Sequence, residues 1–163
     1  MRTATADRSA PTEDETPPAG TARFRETALA GQVQFLVARL RSVGHQHAND
    51  LLQAELGLKV RHHSVLALAA SGAAPSQREL SEFLSLDPSQ IVSLVDALEK
   101  DGLVERSVDP RDRRSRIVSA TAEGQKVHAR ALELTRRSDD VVLADLTAAE
   151  RAELNRLLAK VAF

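Results

Sequence analysis

A chain of 163 residues carries enough apolar material for one domain of ordinary size and too little for two comfortable ones. Its formal net charge of −1 argues against indiscriminate polyanion binding over the whole surface, and the absence of cysteine removes disulfides, thiolate metal sites and cysteine redox sensing. No run approaches the ~20 apolar residues needed to cross a bilayer, and the first residues lack a signal peptide's apolar centre, so the chain reads as soluble and cytoplasmic with no membrane partner.

Hydrophobic residues make up 42% of the chain and aromatic ones only 2%. The core must therefore be built from Leu, Val and Ala, a composition that favours helices. Residues 1–20 are rich in Thr, Ala, Pro and acids and have almost nothing to bury, so they are expected to be a disordered tail. Across 21–57, Phe24, Leu29, Val33, Leu36, Val37, Leu40, Val43, Leu51 and Leu52 recur at helical spacings. This predicts one long amphipathic helix, with Gly44 as the point where it would break.

A second helix is expected over residues 60–70, with Val65, Leu66, Leu68 and Ala69 inward, stopped by Ser71-Gly72-Ala73-Ala74-Pro75. Ser76-Gln77-Arg78-Glu79 is a capping box opening a short helix over 76–84, whose buried stripe would be Leu80, Phe83 and Leu84. Asp87-Pro88-Ser89-Gln90 starts the next helix with an acid at the cap and proline in the first turn; Ile91, Leu94, Val95 and Leu98 face inward and Asp101-Gly102 ends it. Two short capped helices separated by Ser85-Leu86 form a helix-turn-helix.

Beyond Gly102 the periodicity changes. Residues 103–108 and 116–120 read as strands around a polar turn, a β-hairpin whose region holds Arg106, Arg111, Arg113, Arg114 and Arg116 against Asp109 and Asp112. A local positive patch thus sits on a near-neutral protein. Helix-turn-helix followed by hairpin predicts a winged helix in a mainly α fold. Thr121 caps a long helix to about residue 143, and the capping box Thr147-Ala148-Ala149-Glu150 opens a last helix over 148–161.

The stretches Ser76-Gln77-Arg78-Glu79-Leu80, Leu94-Val95-Asp96-Ala97-Leu98-Glu99-Lys100-Asp101-Gly102-Leu103-Val104-Glu105-Arg106, Asp109-Pro110-Arg111-Asp112-Arg113-Arg114 and Thr121-Ala122-Glu123-Gly124 resemble the MarR family of bacterial winged helix-turn-helix regulators. The resemblance implies a domain over 21–163, with dimerisation helices at 21–57 and 122–163 and the winged helix-turn-helix at 60–121. It also implies a homodimer on a pseudo-palindromic double-stranded operator, most often a repressor released when a small, often aromatic or phenolic, molecule binds between the dimerisation and DNA-binding parts.

A recognition helix must present short polar or amide groups opposite its buried stripe, here Pro88, Ser89, Gln90, Val92 and Ser93. Gln90 suits a bidentate contact with adenine, or equally serves as a capping partner for Asp87, and Val92 suits a thymine methyl. Many relatives have arginine where this chain has Ser93, so base readout is expected to be modest, with phosphate contacts and DNA shape carrying more. By match to the family motif, Arg114 is the minor-groove side chain, Asp112 holds its guanidinium by a paired hydrogen bond, and Arg111 and Arg113 lie near phosphates. Asp96 is expected to pair with Arg106 at the base of the wing. Ser76 and Gln77 offer phosphate donors, although plain capping is the stronger reading for Ser76.

Of the five histidines, neither His45/His47 nor His62/His63 has the spacing that puts two ligands on one helical face, and His128 stands apart in sequence, so no metal site is expected. From the family's architecture, Arg41, His45, Arg61, His62 and His63 are the candidates to line an effector cleft. A metal-responsive regulator and a protein-interaction dimer without specific DNA binding are the alternatives. There is no phosphate loop, no Gly-x-Ser-x-Gly and no cysteine nucleophile, and carboxylates are interleaved with Arg and Lys as on solvated faces. No catalytic residue, enzyme activity or cofactor is expected.

Overall fold

A computed structural model describes residues 21–110 and 112–163, so the tail expected at 1–20 lies outside the described residues. The chain divides into two compact units between Arg39 and Leu40. In the first, the helix expected to begin at residue 21 does not form at once. Ala22–Glu26 and Ala28–Gly31 are 3-10 turns, separated by Thr27 in extended conformation with ψ 152°. The Thr27 hydroxyl donates to the Phe24 carbonyl at 2.7 Å, a local bond that competes with helical continuation. Helix α1, Val33–Leu56, follows Gln32 and runs unbroken through Gly44. A single interior glycine costs a helix about 1 kcal/mol, which its neighbours' propensity covers.

The second unit contains α1 from Leu40 onward, α2 (Val60–Ala70), α3 (Gln77–Leu84), α4 (Pro88–Lys100), β1 (Val104–Val108), β2 (Arg116–Ala120), α5 (Ala122–Val142) and α6 (Ala148–Ala162). The starts of α3, α4 and α6 have the chemistry the sequence announces. Ser76 and Glu79 cap one another reciprocally, as do Thr147 and Glu150, while Asp87 accepts from the Ser89 amide at 2.8 Å. Leu58, Val65, Leu66, Ala69, Leu80, Ile91, Val95, Leu98, Leu103, Val104 and Val118 form one core, so helices and hairpin share a single apolar centre. Leu52, Ala131 and Leu134 form a smaller cluster between α1 and α5.

Phe83 departs from the predicted stripe: it is 58% exposed and stacks on Phe163, with ring centroids 5.6 Å apart. In an eight-residue helix only Leu80 reaches the core and Leu84 reaches it partly, so Phe83 is left at the edge.

The hairpin pairs antiparallel in the register Val104↔Ala120 to Val108↔Arg116. Ser76 bridges Ile117, and the Val118 amide donates to the Pro75 carbonyl at 2.8 Å, so the segment expected only to stop α2 also anchors the wing. Gly102, at φ +70°, closes α4 with a Schellman motif: the Leu103 amide bonds to the Leu98 carbonyl at 2.9 Å and the Gly102 amide to Glu99 at 3.0 Å. The turn delivers Leu103 to the core.

The start of α5 is packed against that same turn. The Thr121 hydroxyl donates to the Gly102 carbonyl at 2.7 Å and accepts from the Gly124 amide at 3.0 Å. A Cβ on Gly124 would fall 1.9 Å from the Leu103 carbonyl oxygen, which is backbone and cannot swing aside. Gly124→Ala is therefore expected to lose about 1–3 kcal/mol of stability through overpacking, measured by urea denaturation. An unchanged midpoint would show that α5 is not seated so closely.

Candidate nucleic-acid interface

The outward face of α4 is composed of short polar side chains whose own bonds are local. Ser89 donates from both its amide and its hydroxyl to Asp87, holding the Asp87 carboxyl below its usual pKa. Ser89, and not Gln90, is thus the capping partner of Asp87. Among the described residues the Gln90 side chain makes no hydrogen bond. The Ser93 hydroxyl turns back to the Ser89 carbonyl at 3.0 Å. Pro88, Ser89, Gln90, Val92 and Ser93 are all exposed, so the face is open, short and without a cation of its own near its start.

Two acids on α4, Asp96 and Glu99, are taken up by one residue of β1. The Arg106 guanidinium pairs with Asp96 at 2.5 Å and with Glu99, and also donates to the Gln77 side-chain oxygen at 3.4 Å, while the Arg106 amide donates to Glu99 at 3.2 Å. The Arg106 side chain is only 16% exposed. Asp96 is the partner expected from the sequence; Glu99, one helical turn further along the same face, joins it. Gln77, expected to donate to phosphate, spends its carbonyl oxygen inside this network. The Ser76 hydroxyl accepts from the Glu79 amide and donates to its carboxylate at 2.8 Å, which is capping.

At the wing tip the Ser115 carbonyl accepts from the Asp109 amide at 3.0 Å, and the Ser115 amide donates to the Asp112 carbonyl at 2.9 Å. Asp112 does not hold the Arg114 guanidinium as expected: its carboxylate accepts from the Arg114 backbone amide at 3.0 Å. An acid two residues ahead of an amide in a turn satisfies that amide most directly. Arg113 and Arg114 are exposed and make no side-chain bond among the described residues, so both guanidinium groups remain available. Arg111 lies outside the described residues.

The residues expected to line one cleft separate into three places. Arg41 and His45 do border a groove of about 460 Å³, with apolar walls including Leu40, Val142 and Leu154, and with Arg151 and Asn155 from α6. Arg151 pairs with Asp140 at 2.7 Å, and burial together with Asp140 raises the pKa of Asp139 on the same groove. Arg61 lies instead beside Ser89, Gln90, Ser93 and Leu94.

His62 and His63 are held elsewhere by packing at α2. His62 Nδ1 accepts from the Lys59 amide at 3.4 Å, and burial, then the Lys59 charge, lowers its pKa. His63 stacks on His128 with centroids 5.6 Å apart, and burial, then His128, lowers its pKa. His47 bonds to the buried Ser138 hydroxyl at 3.0 Å. Among the described residues no group of three His, Cys, Asp or Glu is placed to hold a metal ion, and no helix is long and apolar enough to cross a membrane.

A sequence model of the MarR family matches residues 56–115. The transcriptional repressor Rv2887 of Mycobacterium tuberculosis is 31% identical over 127 residues, 78% of this chain and 91% of its own length. Its structure with p-aminosalicylic acid superposes with a TM-score of 0.68 at 27% identity, covering 81% of this chain and 99% of that one. A MarR-family regulator from Rhodococcus sp. RHA1 gives a TM-score of 0.79 at 34% identity over 84% of this chain and 96% of its own. CouR from Rhodococcus jostii RHA1, bound to p-coumaroyl-CoA, gives 0.75 at 35% identity with the same coverage of both chains.

The burial of His63 makes stability depend on pH. A base whose pKa is lowered by folding from 6.5 stabilises the fold when neutral, because the unfolded chain takes up the proton more readily. Stability is expected to be full above about pH 7 and to fall toward pH 5, and His63→Leu to flatten that slope. Urea midpoints across pH measure it; a slope unchanged by the substitution would place the acid sensitivity elsewhere.

Proposed function

The chain belongs to the MarR family of transcriptional regulators, and on that premise we propose that it is a dimeric, sequence-specific DNA-binding repressor released from its operator by a small aromatic anion. The observation that carries the reading is the Arg106 network, which joins the open face of α4 to a wing whose Arg113 and Arg114 are uncommitted. Recognition helix and wing are thereby held as one reading head. Pro88, Ser89, Gln90, Val92 and Ser93 meet a major groove, and Arg114 enters the adjoining minor groove with Arg113 and Arg111 on phosphates. Asp112 acts by fixing the backbone at Arg114. Ser76 and Gln77 contribute through the local frame.

Dimerisation is supported by apolar surface that a single chain leaves bare. Helix α6 is 15 residues long and buries none of them, with Leu157 46% and Val161 88% exposed. In the other unit Phe24, Leu29, Val33 and Leu36 are each about half exposed or more. Such surface marks an interface. The domain reading follows: residues 21–57 and 122–163 associate, and 60–121 reads DNA.

The groove at Arg41 and His45 is the proposed effector site. Its apolar walls accept a ring, and the exposed Arg41 suits a carboxylate or another anion. The ligands of CouR and Rv2887, p-coumaroyl-CoA and p-aminosalicylic acid, share that chemistry. An effector favouring a different half-site spacing lowers operator affinity by its differential affinity for the two conformations.

Anisotropy titrations with duplexes flanking the protein's own gene, at stated salt, test the reading. Wild type is expected to prefer one duplex over random sequence, an aromatic carboxylate to release it, and Arg114→Ala to lose about tenfold to a hundredfold in affinity. Equal affinity for all sequences, unaffected by Arg114→Ala, would favour a protein-interaction dimer.

A further inference from the structure

Arg61, from α2, is the one expected effector-cleft residue that borders the face of α4 proposed to meet DNA. It lines a groove of about 260 Å³ with Ser89, Gln90, Ser93 and Leu94. It is exposed and makes no ion pair or side-chain hydrogen bond among the described residues. An arginine with no internal partner has its five donors available to an incoming acceptor.

The charge balance around it identifies the acceptor. The charged residues of α4 and its two caps are Asp87, Asp96, Glu99, Lys100 and Asp101, so its only cation lies at the far end from Ser89 and Gln90. Asp87 is occupied by Ser89, while Asp96 and Glu99 are occupied by Arg106. A phosphate approaching the start of α4 thus meets acids partly neutralised from within and a guanidinium supplied from α2. The short Ser89 and Ser93 side chains, both turned onto local partners, leave the groove low enough for a phosphate oxygen to reach Arg61.

We propose that Arg61 is a DNA-backbone contact: its guanidinium binds a phosphate at the edge of the major groove entered by α4, so that α2 supplies the cation that the recognition helix lacks at its start. This deepens the reading of the chain as a DNA-binding regulator and rests on it. An arginine in fork geometry can make a paired contact to phosphate that lysine cannot reproduce. The contact positions α4 along the duplex and carries no base preference of its own.

The test compares wild type, Arg61→Ala and Arg61→Lys by anisotropy titration over a range of salt, on the preferred duplex and on a random one. Loss of one phosphate contact is expected to reduce affinity roughly tenfold on both duplexes and to lower the slope of log K against log salt by ~0.9. Arg61→Lys restores the slope but only part of the affinity. Thermal unfolding of Arg61→Ala without DNA is expected to match wild type, since the side chain has no internal partner to lose.

Wild-type affinity and slope in Arg61→Ala would overturn the proposal, as would lost affinity with an unchanged slope, or a change confined to the effector concentration that releases DNA. If wild type shows no preference between duplexes, the specific-regulator reading fails. The random duplex still decides the Arg61 contact through its slope.

Discussion

The guanidinium of Arg106 is where β1, α3 and α4 meet, and the placement of the wing depends on it. A two-stranded hairpin on its own is at best marginally stable in water. Here Val104 and Val118 enter the helical core, and Arg106 fixes the rotation of the strands by reaching Asp96, Glu99 and Gln77. Partly buried ion pairs give up much of their attraction to desolvation, so this network is better understood as specifying one arrangement than as a large source of stability. The Pro75 carbonyl adds a second tether on the other strand.

The same network changes the electrostatics of the recognition face. Asp96 and Glu99 would oppose a phosphate backbone, and Arg106 offsets both without placing a cation on the open surface of α4. Positive charge is left at the periphery, on Arg113 and Arg114 of the wing and, in the proposed arrangement, on Arg61 of α2. On the proposed reading, such a head grips the backbone at its edges and presents serine, valine and one unengaged amide at its centre. Specificity is then expected to lean on DNA shape and deformability.

What the sequence made legible were features with local causes. The starts of α3, α4 and α6 could be read because a hydroxyl or carboxylate bonds to amides within three residues, and the hairpin because the apolar period changes after Gly102. Features set by distant partners were not legible. The need for glycine at position 124 comes from the Leu103 carbonyl, and the dispersal of Arg41, Arg61 and His63 comes from where α2 packs. Asp112 shows the intermediate case: the motif located the residue, but the turn gave its carboxylate to the Arg114 amide and not to the guanidinium.

The central claim is that two such heads read one operator, each with a helix in the major groove and a wing in the minor groove. Hydroxyl-radical footprinting of the full chain on its preferred duplex tests it most directly, because cleavage reports the minor-groove edge of each strand. The account predicts a two-fold pattern, with half-sites about 34–36 Å apart or a multiple of that distance, and outer minor-groove protections that vanish with Arg114→Ala. A pattern without two-fold symmetry, or protection that is uniform along the duplex and fades with modest salt, would contradict it.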